Sequence, residues 1–247
     1  MGFVFDFQTS KAYESWCRQT KNQTIISRET RLMGDLLTPL HGSTVLDIGC
    51  GPGFAMEAFK VAGLNATGLD ASPYMLDFAV ERLGKGAELH RGIAEDLPFE
   101  DNAFNFACIT KTLEFVDSPE KALSEAFRVT KDRVFIGILN RHALAGIQNR
   151  SYDQNLEAMI ENSRFFSLWE IKKTIRELVG KVPVTWQALW HLQRQPGKIN
   201  EKLEDSQWLK QIPFGVYIGI AVTLCPKYRA KPLSLNCTAN QGTGAFL

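Results

Sequence analysis

The segment Val45-Leu-Asp-Ile-Gly-Cys-Gly-Pro-Gly53 constrains this chain more than any other. A short apolar strand, Ser43 to Ile48, runs into three glycines at alternate positions, Gly49, Gly51 and Gly53. Phe54, Ala55, Ala58, Phe59 and Ala62 then repeat at helical spacing. A strand must turn sharply into a helix here. Glycine supplies the backbone angles and, lacking Cβ, lets a ligand lie against the main chain. The spacing is GxGxG, not the GxGxxG that presents a helix N-terminus to a pyrophosphate. Asp47, just before the loop, would also repel a phosphate. The loop therefore reads as the cradle of a ligand without one.

The same rhythm continues. Asn65 to Asp70 reads as a second strand, with Ser72 and Pro73 as N-cap and first-turn proline of a helix whose face is Met75, Leu76, Ala79, Val80 and Leu83. Ala87 to Arg91, Phe104 to Thr110 and Val134 to Leu139 read as strands three to five. Ser118 and Pro119 open the helix between the last two. Continuous apolar strands alternating with helices predict an α/β fold: a doubly wound, mostly parallel sheet covered on both faces. Beyond Asn140 the rhythm breaks. Ser167 and Glu170 fit a capping box, with Phe166 and Ile171 as a hydrophobic staple. Val182 to Trp190 and Phe214 to Leu224 alternate at period two and predict strands six and seven.

The expected organisation is a helical lid over residues 1–40 and one domain over 41–226, followed by a tail over 227–247. Insertions at about 141–166 and 191–212 would form a cap. The latter, from His191 to Ile212, is too long for a tight hairpin. The five cysteines are odd in number and never in CxxC spacing, which speaks against a disulfide scaffold or a zinc site and for a reducing, cytoplasmic setting. Lys+Arg is 28 against Asp+Glu 27, so no field of one sign would draw in nucleic acid or an anionic membrane. No apolar run is long enough to span a bilayer, and the first residues lack the basic cluster of a secretory signal. The partner expected is a small molecule. The sequence carries no reading of oligomeric state.

Asp70 closes the second strand, where a carboxylate can accept hydrogen bonds from a ribose diol. Asp47 could answer an ammonium group. A cationic amino-acid end joined to a ribose describes S-adenosylmethionine (SAM). The stretches DIGCGPGF, LDASPYML, AEDLPFEDNAF and TLEFVDSP, in this order and spacing, resemble the class I SAM-dependent methyltransferases of the broad type 11 group over residues 10 to 140. That fold has seven strands with the last one antiparallel.

The resemblance implies roles residue by residue. Asp47, Gly49, Cys50, Gly51 and Gly53 would line the methionine side of the cofactor, and Asp70 would hold the ribose. Ala71 and Met75 would flank the adenine, with Ala94 and Glu95 at its edge, chiefly through backbone groups. The Thr110 carbonyl would face the ammonium. Ala12 to Trp16 resembles a lid segment in which an aromatic covers the cofactor, here Tyr13. Two departures stand out. Ile93 occupies a position where the family often has an aspartate that meets the adenine amino group. Asn105 replaces an aspartate after Phe104.

Bland readings stand beside these. Met75 could be core, Tyr13 and Trp16 ordinary packing aromatics, and Cys50 a small packing residue. Glu114, after the fourth strand, could be a base, a helix cap or one half of a salt link. No histidine has triad or metal spacing. His142, directly after the fifth strand, lies nearest the expected acceptor pocket, so Tyr13 and His142 are the candidate acceptor-side groups. The expected activity is methyl transfer from SAM to a small-molecule acceptor. A macromolecular acceptor or a non-catalytic SAM-binding homologue are the alternatives.

Overall fold

The computed structural model describes residues 2–146, 161, 163–190 and 206–224. Two helices, α1 (Phe7–Arg18) and α2 (Thr20–Leu37), precede an alternating run. This run is β1 (Thr44–Ile48), α3 (Phe54–Val61), β2 (Asn65–Asp70), α4 (Pro73–Leu83), β3 (Glu88–Arg91), β4 (Phe104–Thr110), α5 (Pro119–Val129) and β5 (Thr130–Leu139). A 3₁₀ turn (Arg141–Gly146) follows, then α6 (Leu168–Val179), β6 (Val184–Leu189), a short helix (Gln207–Lys210) and β7 (Tyr217–Thr223). The body of the first expected cap, most of the second and the tail lie outside the described residues.

The sheet order is β3-β2-β1-β4-β5-β7-β6. Strands β1 to β5 pair in parallel, and β7 runs antiparallel to both β5 and β6. This is the seven-stranded, mostly parallel, doubly wound sheet expected. The order reverses direction between β1 and β4, the switch point at which such sheets open a crevice beyond the carboxyl ends of their strands.

Residue type explains each face. Leu46 and Ile48 of β1 point with Ala107, Ile109, Ile136 and Ile138 into one apolar layer under α5 and α6. Val45, Phe106, Cys108 and Phe135 point into the other, under α2 and α3. Helix α5 buries Ala122, Leu123, Ala126 and Phe127 as its spacing requires. Helix α6 starts at the capping box, with Ser167 and Glu170 bonded reciprocally. Asn105, the departure from the family pattern, is structural: its Oδ1 accepts the Thr44 N–H at 3.2 Å and its Nδ2 donates to Asp132 at 3.1 Å.

Three differences from the sequence reading have physical causes. Strand β5 begins at Thr130, not Val134, because Thr130 to Arg133 pairs with β4 across a bulge between Phe104 and Phe106. Strand β7 is shorter than Phe214 to Leu224, and its alternation is large against small rather than buried against exposed. Ile218, Ile220 and Val222 fill one layer, while Gly219 and Ala221 lie opposite, where a Cβ on Gly219 would meet Phe135 and Leu32 of α2. Thirdly, the N-terminal region has two parts. Helix α2 buries Leu32, Met33 and Leu37 against the sheet and is a fixed layer of the core. Residues 2–5 and Tyr13 of α1 line the cavity beyond the carboxyl ends of the strands, as does one face of α2.

Candidate functional site

A cavity of about 290 Å³ lies beyond the carboxyl ends of β1, β2 and β4. Its floor is the glycine loop. Gly49 and Cys50 donate backbone N–H bonds to Leu69 O at 2.7 and 3.0 Å, which fastens the loop to β2. Gly51 has φ +51°, a left-handed conformation, and a Cβ built there meets nothing within 4 Å. That open space is cavity, so a side chain at Gly51 would stand where a ligand must touch backbone. Gly49 has φ +73°, and a Cβ there would overlap Thr112. Arg82 props the loop from outside: its Nε donates to Pro52 O at 2.9 Å, and its guanidinium sits 3.5 Å from the centre of the Phe54 ring.

Two carboxylates face this floor. Asp70 Oδ2 accepts the Gly51 N–H at 2.8 Å and Oδ1 accepts the Ser72 N–H at 2.9 Å. Each carboxylate oxygen can take a further donor, and burial pushes the group up from its ordinary pKa of 3.8 against those bonds. Asp47 is 3% exposed. Burial, then the charge of Asp70, pushes it up to about 7. A cation placed beside Asp47 would restore its ionised form, so the site favours a ligand with an ammonium group. Burial also raises the Cys50 thiol well above its ordinary value. Cys50 is accordingly a packing residue, not a nucleophile.

Of the residues singled out from sequence, Tyr13, Asp47, Gly49, Cys50, Gly51, Asp70, Ala71, Met75, Ala94, Glu95 and Thr110 all line this one cavity. The side chain of Glu95 is engaged elsewhere, accepting the Asp117 and Ser118 N–H groups at 2.9 and 3.3 Å. Ile93 lines the cavity too and is half exposed.

Two residues fall outside. Gly53 does not line the cavity. It starts α3 at φ +81° and is needed because a Cβ there would lie 3.0 Å from Leu83. His142 is exposed and packs edge-on against Trp169 and Phe214, with ring centroids 5.7 and 6.2 Å away. The 3₁₀ turn carries it away from the cavity, so it is not an acceptor-side group. Glu114 also lies outside. Its Oε1 accepts the Leu139 N–H at 2.8 Å, and burial pushes it up to about 7. It fastens the loop after β4 to the end of β5.

The sequence reading expects a lid and Tyr13 but not the strap before α1, nor the far wall. Residues 2–5 cross the cavity as a strap: Phe3 donates its N–H to Phe115 O at 2.8 Å, and Ser72 Oγ donates to Phe5 O at 2.6 Å. Phe3, Phe5, Phe115 and Tyr13 pack ring on ring, with centroids 5.2 to 5.9 Å apart. The far wall is Ile26, Thr30 and Met33 of α2, with Leu139, Tyr217 and a buried ion pair, Lys111 Nζ to Glu29 Oε2 at 2.6 Å. Ile26, Glu29, Thr30 and Met33 share one face of α2 at helical spacing, a signal the sequence does carry, but nothing local ties that face to Lys111, Leu139 or Tyr217. Among the described residues, no cluster of His, Cys, Asp and Glu could hold a metal ion, and no helix is long and apolar enough to cross a membrane.

Comparisons with known proteins agree with this geometry. Residues 46–137 match the family described as "Methyltransferase domain", type 11. An uncharacterized protein of Methanocaldococcus jannaschii is 29% identical over 177 residues, 71% of this chain and 80% of that protein. The demethylmenaquinone methyltransferase of Renibacterium salmoninarum is 38% identical over 104 residues, 42% of this chain and 44% of that enzyme. A probable 18S rRNA (guanine-N(7))-methyltransferase of Dictyostelium discoideum is 30% identical over 118 residues and is matched over 41% of its length. The chain thus spans less than half of these two methyltransferases. Among solved structures, a SAM-dependent methyltransferase of Thermotoga maritima, described as a possible histamine N-methyltransferase, superposes with a TM-score of 0.63 at 27% identity. The match covers 85% of this chain and 93% of that one.

Proposed function

We propose that this chain, which carries a class I SAM-dependent methyltransferase domain of the type 11 group, methylates a small, largely apolar acceptor. The observation that carries the reading is the enclosure of the cavity. Its cofactor end is the glycine loop with Asp47 and Asp70, and the strap of residues 2–5 and the ring cluster of Phe3, Phe5, Phe115 and Tyr13 roof the rest.

SAM, when bound, supplies an electrophilic methyl group on a sulfonium sulfur. The residues present fit it: an open cradle over Gly51, Asp47 for the ammonium and Asp70 for the ribose diol. Met75 and Ala94 offer apolar surface to a flat base. What the chain adds is alignment in a mostly apolar cavity, where orientation alone can supply roughly 7–11 kcal/mol of the barrier. Phe3, Phe5, Ile26 and Met33 would hold the acceptor's apolar body, while Glu29 and Lys111 stand at its far end. This arrangement suits the acceptor class of the demethylmenaquinone relative better than a nucleic-acid base still attached to its strand, because the strap and its ring cluster offer apolar surface over this part of the cavity. The near-zero net charge points the same way. A cytoplasmic setting accords with Cys17, Cys50 and Cys108, which are buried and unbridged among the described residues.

The test pairs SAM calorimetry with an assay of S-adenosylhomocysteine release across quinols, phenols, amines and RNA oligonucleotides. Release driven by a small apolar acceptor is the expected result. Release driven only by RNA would replace the reading with the macromolecular one. SAM binding without release for any acceptor would favour a non-catalytic homologue.

A further inference from the structure

The wall opposite the glycine loop carries groups that the cofactor has no use for. Lys111 follows β4 in a left-handed conformation, φ +51°, held by its N–H to Gly137 O at 2.8 Å. A non-glycine residue pays for that backbone angle, and the result is an ammonium group in the cavity wall. Among the described residues its one hydrogen-bond partner is Glu29, and an ammonium has three N–H groups to give. Tyr217, from the first position of β7, is fully buried, and its hydroxyl lies near the Thr110 side chain without a hydrogen bond of ordinary geometry to any described residue. The Thr110 hydroxyl is buried without a partner in the same way. Both residues line the cavity with Lys111. Gly137 makes the room, since a Cβ there would overlap the Tyr217 hydroxyl and come within 3.1 Å of Thr110 Cγ2. A buried hydroxyl without a good hydrogen bond is costly, so this adjacent pair beside a cation in one cavity wall suits a ligand that accepts hydrogen bonds.

Resting on the methyltransferase reading, we propose that Lys111, Tyr217 and Thr110 form an oxyanion subsite. The acceptor would then be an apolar molecule bearing an acidic hydroxyl, a phenol or enol, bound as its anion. The hydroxyl proton leaves to solvent on binding, and the charge left on oxygen is met by the Lys111 ammonium and the Tyr217 O–H. Other titratable groups face Lys111 as well: Tyr13 and Cys17 from α1, Glu29 from α2, and Glu114 from the loop after β4. Burial raises the Tyr13 and Tyr217 phenols and pushes the Cys17 thiol up to about 12, so all three stay neutral near pH 7. Glu29 keeps Lys111 charged. An amine acceptor would instead want a carboxylate with no cation against it, and at this wall the carboxylate Glu29 is already matched by Lys111.

The probe is 4-nitrophenol, whose ionised form absorbs visibly, added to the full chain saturated with S-adenosylhomocysteine. A cation within about 4–6 Å should lower the bound phenol's pKa by about 1–3 units relative to water. Tyr217→Phe, which deletes only an unpartnered oxygen, should remove part of that shift. The double variant Glu29→Gln with Lys111→Met, which takes out both charges together, should remove the rest while circular dichroism and S-adenosylhomocysteine affinity stay as in the parent. The proposal is overturned if 4-nitrophenol does not bind, binds with its ordinary pKa, or shifts equally in both variants. Tighter binding of benzylamine than of 4-nitrophenol would overturn it too. If S-adenosylhomocysteine itself fails to bind, the methyltransferase reading falls instead. The titration on the protein alone then still decides the subsite.

Discussion

The two ends of the cavity are built by opposite means. The end proposed for the cofactor is mostly main chain, a glycine loop and its backbone N–H groups, joined by the two carboxylates Asp47 and Asp70, nearly all within residues 47–75. The acceptor end is made of side chains from the strap, α1, α2, the turn after β4, and β7. Backbone recognition needs glycines and a sharp strand–helix turn, and both leave a mark in local sequence. Recognition by side chains gathered from five elements needs only that the fold bring them together. The lesson is that the first end fixes what kind of reaction a domain of this class performs, and the second fixes on what.

The sharpest break between the ends is at Gly51. Gly51→Asn tolerates the left-handed backbone but puts a side chain into the cradle. SAM affinity should fall by about 3 kcal/mol, the upper range for overpacking a fitted site, or roughly 100-fold. The 4-nitrophenol response should persist. Calorimetry with thermal melts checks both affinity and fold.

Asp47 gives a pH signature of comparable size. Its pKa is pushed up from 3.8 to about 7 in the folded protein. The unfolded chain therefore binds fewer protons than the native one between those values, and the Asp47 contribution to stability falls as pH rises through that window. A cationic ligand acts against this by favouring the ionised form. SAM affinity should accordingly rise by about tenfold per pH unit from pH 5 toward about 7, then level off. Asp47→Asn should flatten the profile and bind weakly throughout. A parent profile independent of pH would take Asp47 out of the cofactor's ammonium site.

Asp70→Ala should weaken SAM by about 1.5–3 kcal/mol, the scale of hydrogen bonds to a charged group. Part of the loss comes from freeing the Gly51 and Ser72 N–H groups it now holds. NADH should bind neither protein, which surface plasmon resonance can check. The smallest effect is expected at His142. Its ring lies against Trp169 and Phe214, away from the cavity. His142→Phe should change turnover with any accepted substrate by less than about twofold, within the usual ±0.5 kcal/mol of surface changes. A tenfold loss would mean that the turn after β5 moves into the site.

How much of this was legible in the sequence follows the same division. The strand–helix alternation gave the doubly wound sheet, because parallel strands buried on both faces read as continuous apolar runs. The loop and Asp70 gave the cofactor. The alternation of Phe214 to Leu224 predicts strand β7 but not why Gly219 is small: a Cβ there would meet Phe135 and Leu32 of α2. Residues 1–40 were read as one lid, yet the spacing of Leu32, Met33 and Leu37 is that of a core-facing helix. Lys111 and Glu29 are 82 positions apart, and Lys111 and Tyr217 further still. No periodicity connects them. His142 was placed in the site because it follows a central strand, and a short 3₁₀ turn was enough to carry it out.

The most direct measurement of the account is a crystal structure of the full chain with S-adenosylhomocysteine. The amino group of the homocysteine should lie about 3 Å from the Asp47 carboxylate, the ribose hydroxyls on Asp70 and the adenine against Met75 and Ala94. The sulfur should face a cavity that still contains the Lys111 ammonium and the Tyr217 hydroxyl. A ligand lying in the opposite sense, with its adenine against Lys111 and Asp70 untouched, would contradict the division of the cavity on which every inference here depends.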